Sequence, residues 1–199
     1  MAENHLKFYG YNNDILMYLS SGESLPAILS EDEEKYYIDI TEEKVKNKNI
    51  NPREPKEVFV YKQYDLSNAK FDKKGLSNDE KRSVGSLIKF LGWEIDIVHR
   101  VNIPDGVKTP DIYAEGEYWD IKNYKKSLTS KSEFQKVWHS IDKGLNQANN
   151  FVVDLNNKDC NITNYEALKQ INKAYRNFEK LNYVILLGKD NKNYYLKRK

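Results

Sequence analysis

The chain has 199 residues, of which 39% are hydrophobic and 31% charged, and its formal net charge is +2. This length suits one domain with a small extension, and no apolar run approaches the roughly 18 residues that a membrane span needs, which excludes an integral membrane protein. No basic and apolar leader is visible at the start, so no secretory signal is expected. The single cysteine, Cys160, excludes an internal disulfide and a cysteine-based zinc site. It favours a reducing compartment, and the expected location is the cytoplasm.

The charge is unevenly distributed along the chain. Residues 1–56 hold 7 lysines and arginines against 11 acids, whereas residues 120–199 hold 16 against 8. A basic C-terminal half suits a polyanionic partner such as nucleic acid. A lysine-rich solvated surface would give the same distribution, so charge alone does not assign a partner.

Residues 1–56 are predicted to be a separate acidic and aromatic segment. They contain an acidic run at 31–34, a predicted short strand at 36–40 and a polar stretch with two prolines at 47–55. Prolines and polar residues in such a stretch are typical of a linker or a domain boundary. A connecting segment with one more predicted strand follows at residues 57–74.

The main domain is predicted over residues 75–199, where helices and strands alternate. Its first helix follows Ser77, which forms a capping box with Glu80, and the helix is predicted to end at Gly92. The later predicted elements are strands at 93–101, 111–114 and 117–124, a helix at 131–148, a strand at 151–155, a helix that starts with a second capping box at 163–166, and strands at 183–187 and 194–196. This order predicts an α/β core in which helices flank a mixed sheet.

Charged residues on a predicted hairpin form the candidate site. Asp120 and Lys122 lie on the same side of one strand because side chains alternate with a period of two. Asp111 begins the antiparallel partner strand and can therefore lie beside Asp120. Two carboxylates next to an ammonium suit Mg²⁺ or Mn²⁺, which can activate a water and stabilise charge on a phosphate oxygen. The lysine can polarise the attacking water or stabilise the transition state.

Glu80 has two interpretations. It lies four residues before Val84 and seven before Leu87, so it belongs to the apolar stripe of the first predicted helix. As a capping-box residue it would accept a hydrogen bond from the backbone of Ser77. As a site residue it would supply a third acidic group to the metal. The helix alone favours the cap, and the acids and the lysine downstream favour the site.

These residues resemble the motif of the PD-(D/E)xK nuclease superfamily. The Pro-Asp pair that ends at Asp111 matches PD, and the run from Asp120 to Lys122 matches (D/E)xK, with eight residues between the two acids. Glu80 corresponds to an acidic residue that many members carry on the first core helix. The resemblance implies a restriction-endonuclease-like core, with Asp111, Asp120 and Glu80 as metal ligands and with Lys122 assisting the attack of water on phosphorus.

A longer stretch is similar to the C-terminal tRNA-nuclease domain of CdiA-type contact-dependent inhibition toxins, a domain that also occurs in phage and polymorphic-toxin proteins. The similarity covers about residues 75–199 and includes the run Gly-Glu-Tyr-Trp-Asp-Ile-Lys that ends at Lys122. The family commonly has Glu where this chain has Asp120. The resemblance implies cleavage of RNA, with tRNA as the expected substrate, in the cytoplasm of a target cell. It also implies an immunity or inhibitor protein as partner.

Four further residues are candidates for substrate binding. Lys125 could contact backbone phosphates. Lys131, Gln135 and His139 could form a layer that faces the substrate, and Gln135 could orient the scissile phosphate, as a residue on this helix does in related nucleases. A solvated helix face explains these residues equally well.

Two other functions stay open. The first is a DNA endonuclease with the same metal site. The second is a non-enzymatic phage or mobile-element protein that uses a nuclease-like fold to bind nucleic acid or a protein partner, with the partner role in residues 1–56. Three scattered histidines give little support to a histidine metal site or a Ser-His-Asp triad, and no glycine-rich phosphate loop is present.

Overall fold

Strands and helices alternate along the part of the chain that the computed structural model describes, which is residues 34–58, 70–71, 75–103, 107–124 and 136–199. In chain order the elements are β1 (Tyr37–Asp39), α1 (Thr41–Lys46), β2 (Lys56–Val58), β3 (Lys70–Phe71), α2 (Asn78–Leu91), β4 (Ile95–Val98), β5 (Val101–Ile103), β6 (Ile112–Ala114), β7 (Glu117–Asn123), α3 (Lys136–Gly144), β8 (Asn150–Asp154), α4 (Asn164–Asn177), β9 (Tyr183–Leu187) and β10 (Asn193–Arg198). No described helix is both long enough and apolar enough to cross a membrane.

Eight strands form one mixed sheet in the order β1-β10-β9-β8-β7-β6-β4-β2. The central strands β7, β8 and β9 are parallel, and α3 and α4 supply the crossover connections. The pairs β6–β7, β4–β6, β9–β10 and β1–β10 are antiparallel, and β2 pairs with β4 in parallel. The predicted α/β architecture, a mixed sheet flanked by helices, is confirmed.

The sheet has a hydrophobic core on each face. On one face, α2 buries Leu87 against Trp119 and Ile121 of β7. On the other face, α3 and α4 bury Ile141 and Ile171 against β8 and its neighbours. Every residue of β8 is buried, as expected for a central parallel strand that is covered on both faces. Because side chains alternate along β7, Trp119 and Ile121 meet α2, whereas Asp120 between them meets Gly144 of α3.

Local sequence signals determine the ends of several elements as predicted. Both capping boxes form: Ser77 Oγ accepts from the N–H of Glu80, and the second box opens α4 at Thr163. Gly92 ends α2 with a φ of 64°, in the left-handed region that glycine tolerates. The β6–β7 hairpin turns through two residues of positive φ, Glu115 and Gly116. The β9–β10 hairpin is also confirmed.

Two predicted elements were wrong in their extent. The strand predicted at 93–101 is interrupted: β4 ends at Val98, and β5 pairs with β3 in a separate two-stranded sheet. The interruption falls at His99 and Arg100, where the Arg100 side chain turns towards two acids instead of continuing the alternation. The helix predicted at 131–148 ends at Gly144, and residues 131–135 lie outside the described residues.

The N-terminal segment contributes to the main sheet. β1 pairs with β10, and the side chain of Asn172 binds the backbone of Glu34 and Tyr36 at 2.9 Å each. Helix α1 was not predicted, because it buries none of its residues and therefore lacks an apolar stripe. The strand predicted at 58–61 overlaps β2 at Val58, and its other residues lie outside the described part. The division into residues 1–56, 57–74 and 75–199 stays a prediction.

Candidate active site

Asp111 and Asp120 meet where the β6–β7 hairpin opens. Ile112 of β6 lies opposite Trp119 of β7, which brings Asp111, one residue earlier, next to Asp120, one residue later. The backbone N–H of Ile121 donates to Asp111 Oδ2 at 2.8 Å and anchors that carboxylate to β7. Both residues are buried, with 5% of Asp111 and 2% of Asp120 exposed. Two carboxyl groups are thus held together out of contact with bulk water.

The carboxyl of Asp120 has a raised pKa. Burial is the largest cause and raises the pKa of its carboxyl to about 7; the charge of Lys122 opposes this rise, and the charge of Asp111 adds to it. The protonated carboxyl of Asp120 can also donate a hydrogen bond to Asp111. Near neutral pH the carboxyl of Asp120 is therefore partly protonated, as expected for a carboxyl group that is buried beside another acid.

Lys122 lies beside Asp120, as the alternation along β7 predicts. Its Nζ is 2.6 Å from Oδ2 of Asp120. This contact is an ion pair, and Oδ2 has no other donor among the described residues. The Lys122 side chain is 22% exposed, whereas that of Asp120 is 3% exposed. The ammonium therefore lies between the buried acid and solvent.

Helix α3 closes over the same oxygen of Asp120. A Cβ placed on Gly144 would lie 2.6 Å from Oδ2 of Asp120 and would also collide with the ring of Phe151. No side chain can therefore occupy position 144 without a shift of its neighbours. This close approach accounts for part of the burial that raises the pKa of Asp120.

Glu80 forms the capping box that the sequence predicted and also contacts Arg100, each with a different oxygen. Its Oε2 accepts from the backbone N–H of Ser77 at 2.6 Å and closes the capping box. Its Oε1 accepts from Arg100 at 2.7 Å. The same Nη2 nitrogen of Arg100 donates to Oδ1 of Asp111 at 3.0 Å. Glu80 is thus connected to the acid pair through Arg100.

Arg100 is the residue at this site that the sequence analysis missed. It belongs to no motif, and the strand predicted at 93–101 would have placed it in an ordinary alternating position. A buried carboxylate such as Asp111 needs a cation or several hydrogen bonds. This requirement indicates that a basic residue lies nearby. The sequence could not show which of 32 lysines and arginines supplies that cation.

A second polar cluster fixes the end of β7 on the α2 face of the sheet. Asp154, at the end of β8, is fully buried, and its Oδ2 accepts from Ser83 Oγ at 2.6 Å. Arg82 approaches the same oxygen at 3.6 Å and also donates to Asn123 at 3.3 Å. Asn123 directly follows Lys122, so this cluster holds the strand end next to the site.

The carboxylates of Asp111 and Asp120 suit an ion such as Mg²⁺, which needs few ligands from the protein. Among the described residues no group of three or more histidine, cysteine, aspartate or glutamate side chains could hold a metal ion. Mg²⁺ needs fewer ligands from the protein, because it keeps several waters and is often bound by one or two carboxylates plus substrate phosphates. Asp111 and Asp120 meet that requirement, because Oδ2 of Asp120 has only the ammonium of Lys122 as a partner among the described residues. Metal binding, including a ligand from Glu80, stays a prediction.

The predicted substrate-binding residues are described only in part. His139 lies exposed on α3, with its ring centroid 4.9 Å from that of Trp138. Lys125, Lys131 and Gln135 lie outside the described residues. The role of all four in substrate binding stays a prediction.

One family model matches the chain. Its description is the contact-dependent growth inhibition CdiA C-terminal domain, and it matches residues 108–193. No curated protein and no solved structure matches the chain. The matched range runs from just before β6 into β10 and includes Asp111, Asp120 and Lys122, whereas Glu80 and Arg100 precede it. The match supports a CdiA-type toxin domain over these residues, as the resemblance of the sequence predicted.

Proposed function

We propose that residues 75–199 are a metal-dependent nuclease of the PD-(D/E)xK type that hydrolyses phosphodiester bonds in RNA, with tRNA as the expected substrate, and that it acts as a toxin effector. The observation that carries the proposal is the buried pair of Asp111 and Asp120 with Nζ of Lys122 at 2.6 Å from Asp120. The match to the CdiA C-terminal domain supports the toxin role, because the matched range contains all three residues.

Each residue of the pair has a defined part in this chemistry. Asp111 and Asp120 would hold Mg²⁺ or Mn²⁺, and Glu80 would position Asp111 through Arg100. A divalent cation, when bound, lowers the pKa of a coordinated water and stabilises charge on a phosphate oxygen. Asp120 must be ionised to act as a ligand, and the ammonium of Lys122 favours that state.

Lys122 has a second role towards the substrate. An ammonium has three N–H donors, and one of them is directed to Asp120. The others can donate to the attacking water or to a phosphate oxygen on the solvent side, where the side chain is partly exposed. Charge that develops on phosphorus-bound oxygens would be stabilised by such a fixed donor in a site of low polarity.

The proposal includes a protein partner. Toxins of the contact-dependent inhibition class typically pair with an immunity protein, and we extend this expectation to the present chain. Residues 120–199 carry 16 lysines and arginines against 8 acids. An excess of positive charge of this kind would attract an RNA substrate, and an acidic inhibitor could compete for it.

The substrate class is tested by comparing the cleavage of RNA and of DNA with each metal. The full chain and a Lys122→Met variant are incubated with total tRNA and with plasmid DNA, in Mg²⁺, in Mn²⁺ and in EDTA. RNA fragments that need metal and are lost in the variant would support the proposal. Cleavage of plasmid alone would assign a DNA endonuclease. No cleavage of either substrate would favour a protein that binds nucleic acid or a partner through a nuclease-like fold.

A further inference from the structure

Arg100 joins the acid pair to helix α2. Its Nη2 nitrogen donates to Oε1 of Glu80 at 2.7 Å and to Oδ1 of Asp111 at 3.0 Å. Burial lowers the pKa of the Arg100 guanidinium, but the hydrogen bonds and charges of Asp111 and Glu80 outweigh burial, and the pKa is raised. The guanidinium is therefore a permanent cation beside the candidate site.

The two oxygens of Asp111 have different kinds of partner. Oδ2 accepts from the backbone N–H of Ile121 at 2.8 Å, a contact that the strand fixes. Oδ1 accepts from the side chain of Arg100, which can move. A divalent cation held by Asp111 and Asp120 would share this space with the guanidinium. Because like charges repel strongly at such short range, the cation and Arg100 would compete for Oδ1.

Its exposure and its position in the chain allow the Arg100 side chain to move away from Asp111. Its side chain is 44% exposed, whereas those of Glu80 and Asp111 are 14% and 7% exposed. The residue lies in the two-residue connection between β4 and β5 and belongs to neither strand. The side chain can turn towards solvent without breaking a strand ladder.

We infer that Arg100 is the internal counter-ion of the candidate site: it neutralises Asp111 until a divalent cation takes its place, and the released guanidinium then binds a non-bridging oxygen of the substrate phosphodiester. This inference rests on the proposed function. A guanidinium suits the second role, because its planar donors match the spacing of phosphate oxygens and can bind two of them at once.

Two substitutions at Arg100 separate charge from shape. Arg100→Gln removes the charge but keeps a side chain that can donate to Asp111, and Arg100→Lys keeps the charge without the planar fork. Arg53→Gln is the matched control: Arg53 also bridges two acids, Glu94 at 3.2 Å and Asp96 at 2.6 Å, and its side chain is 32% exposed. Circular dichroism and thermal unfolding establish that each variant is folded.

The first measurement is the affinity for Mn²⁺ alone, by calorimetry on the full chain without nucleic acid. Arg100→Gln should bind Mn²⁺ about tenfold more tightly than the wild type, because a competing charge has been removed. Arg100→Lys and Arg53→Gln should stay within about threefold of the wild type.

The second measurement is the rate of RNA cleavage at saturating Mn²⁺. Arg100→Gln should cleave about 100-fold more slowly in spite of its tighter metal binding, because a donor to the phosphate has been lost. Arg100→Lys should also be slower than the wild type, with unchanged metal affinity, and this result would support the inference even if Arg100→Gln does not fold.

The outcomes separate the inference from the function on which it rests. If the wild type cleaves RNA and Arg100→Gln binds Mn²⁺ no more tightly, the counter-ion role is wrong. If Arg100→Gln cleaves at the wild-type rate, the phosphate role is wrong. If the wild type cleaves neither RNA nor DNA, the proposed function fails and the phosphate role fails with it, whereas tighter Mn²⁺ binding by Arg100→Gln would still support the counter-ion role.

Discussion

The carboxylate of Asp111 accepts a hydrogen bond from the backbone N–H of Ile121 at 2.8 Å. Ile121 lies between Asp120 and Lys122 on β7. This hydrogen bond therefore fixes Asp111 to the strand that carries Asp120 and Lys122. β6 begins at Ile112, so the N–H of Ile121 on β7 has no residue of β6 opposite it. The side chain of Asp111 accepts its hydrogen bond instead. The geometry of the acid pair therefore follows from the hairpin itself.

Loss of Lys122 should abolish cleavage without unfolding the protein. Lys122→Met removes the ammonium that lowers the pKa of Asp120, so the carboxyl should be protonated to a higher pH and become a poorer metal ligand. We expect cleavage to fall by at least about 10²-fold. The pKa of Asp120 can be followed by carbon NMR of its carboxyl. Lys197→Met, at an exposed lysine of β10, is the control and should leave the pKa of Asp120 unchanged and the rate of cleavage within a few-fold of the wild type.

Stability should depend on pH through Asp120. In the folded protein burial raises the pKa of this carboxyl to about 7, from an ordinary value of 3.8. Between these values the folded state holds a proton that the unfolded chain has released. The free energy of unfolding should therefore fall as the pH rises from about 4 to about 7, by about 2–4 kcal/mol from this residue.

The pH effect can be isolated by comparison with Asp120→Asn, which cannot ionise. Urea unfolding at pH 4.5, 6 and 8, conditions chosen to span the titration, should show the variant gaining stability over the wild type as the pH rises. A difference between the two proteins that is constant over this range would mean that Asp120 titrates normally in the folded state.

Gly144 should tolerate no side chain. Gly144→Ala places a Cβ against the ring of Phe151 and 2.6 Å from Oδ2 of Asp120, so the substitution should destabilise the protein by about 1–3 kcal/mol. Gly85 is the matched control, because it is also helical and a Cβ there would meet nothing within 4 Å. Gly85→Ala should stabilise by about 0.5–1 kcal/mol. Thermal unfolding that shifts both variants in the same direction would contradict the packing described for α3.

Removal of the described N-terminal segment should weaken the domain. A chain that begins at residue 75 loses β1 and the backbone contacts of Asn172, and it exposes the edge of β10. Its free energy of unfolding should be lower than that of a chain that begins at residue 34, by at least about 1–3 kcal/mol. Equal stabilities would show that residues 34–58 are separate from the domain, as the sequence alone suggested.

Features that depend on near neighbours could be predicted from the sequence. The capping boxes at Ser77 and Thr163, the stop at Gly92 and the β6–β7 hairpin each depend on a few consecutive residues, and each was predicted. The alternation along β7 also placed Asp120 and Lys122 on one face. Side-chain periodicity carries this information without any knowledge of the remaining fold.

Features that depend on distant partners could not be predicted. The pairing of β1 with β10 joins residues at the two ends of the described chain, and α1 has no buried face to produce a periodic signal. Arg100 reaches the acid pair only because the strand breaks at His99 and Arg100 and the side chain turns back. Glu80 illustrates both cases. Its capping box could be predicted from four consecutive residues, whereas its contact with Arg100 is visible only in the folded structure.

The most direct test of the acid pair as a catalytic centre is the rate of tRNA cleavage in Mg²⁺ by Asp120→Asn. The variant keeps the size of the side chain and removes its charge, and Asp96→Asn, on β4 of the same sheet, is the matched control. The proposed mechanism predicts a loss of at least about 10³-fold for Asp120→Asn and a rate within a few-fold of the wild type for Asp96→Asn. Cleavage by Asp120→Asn at the wild-type rate would contradict the assignment of the site.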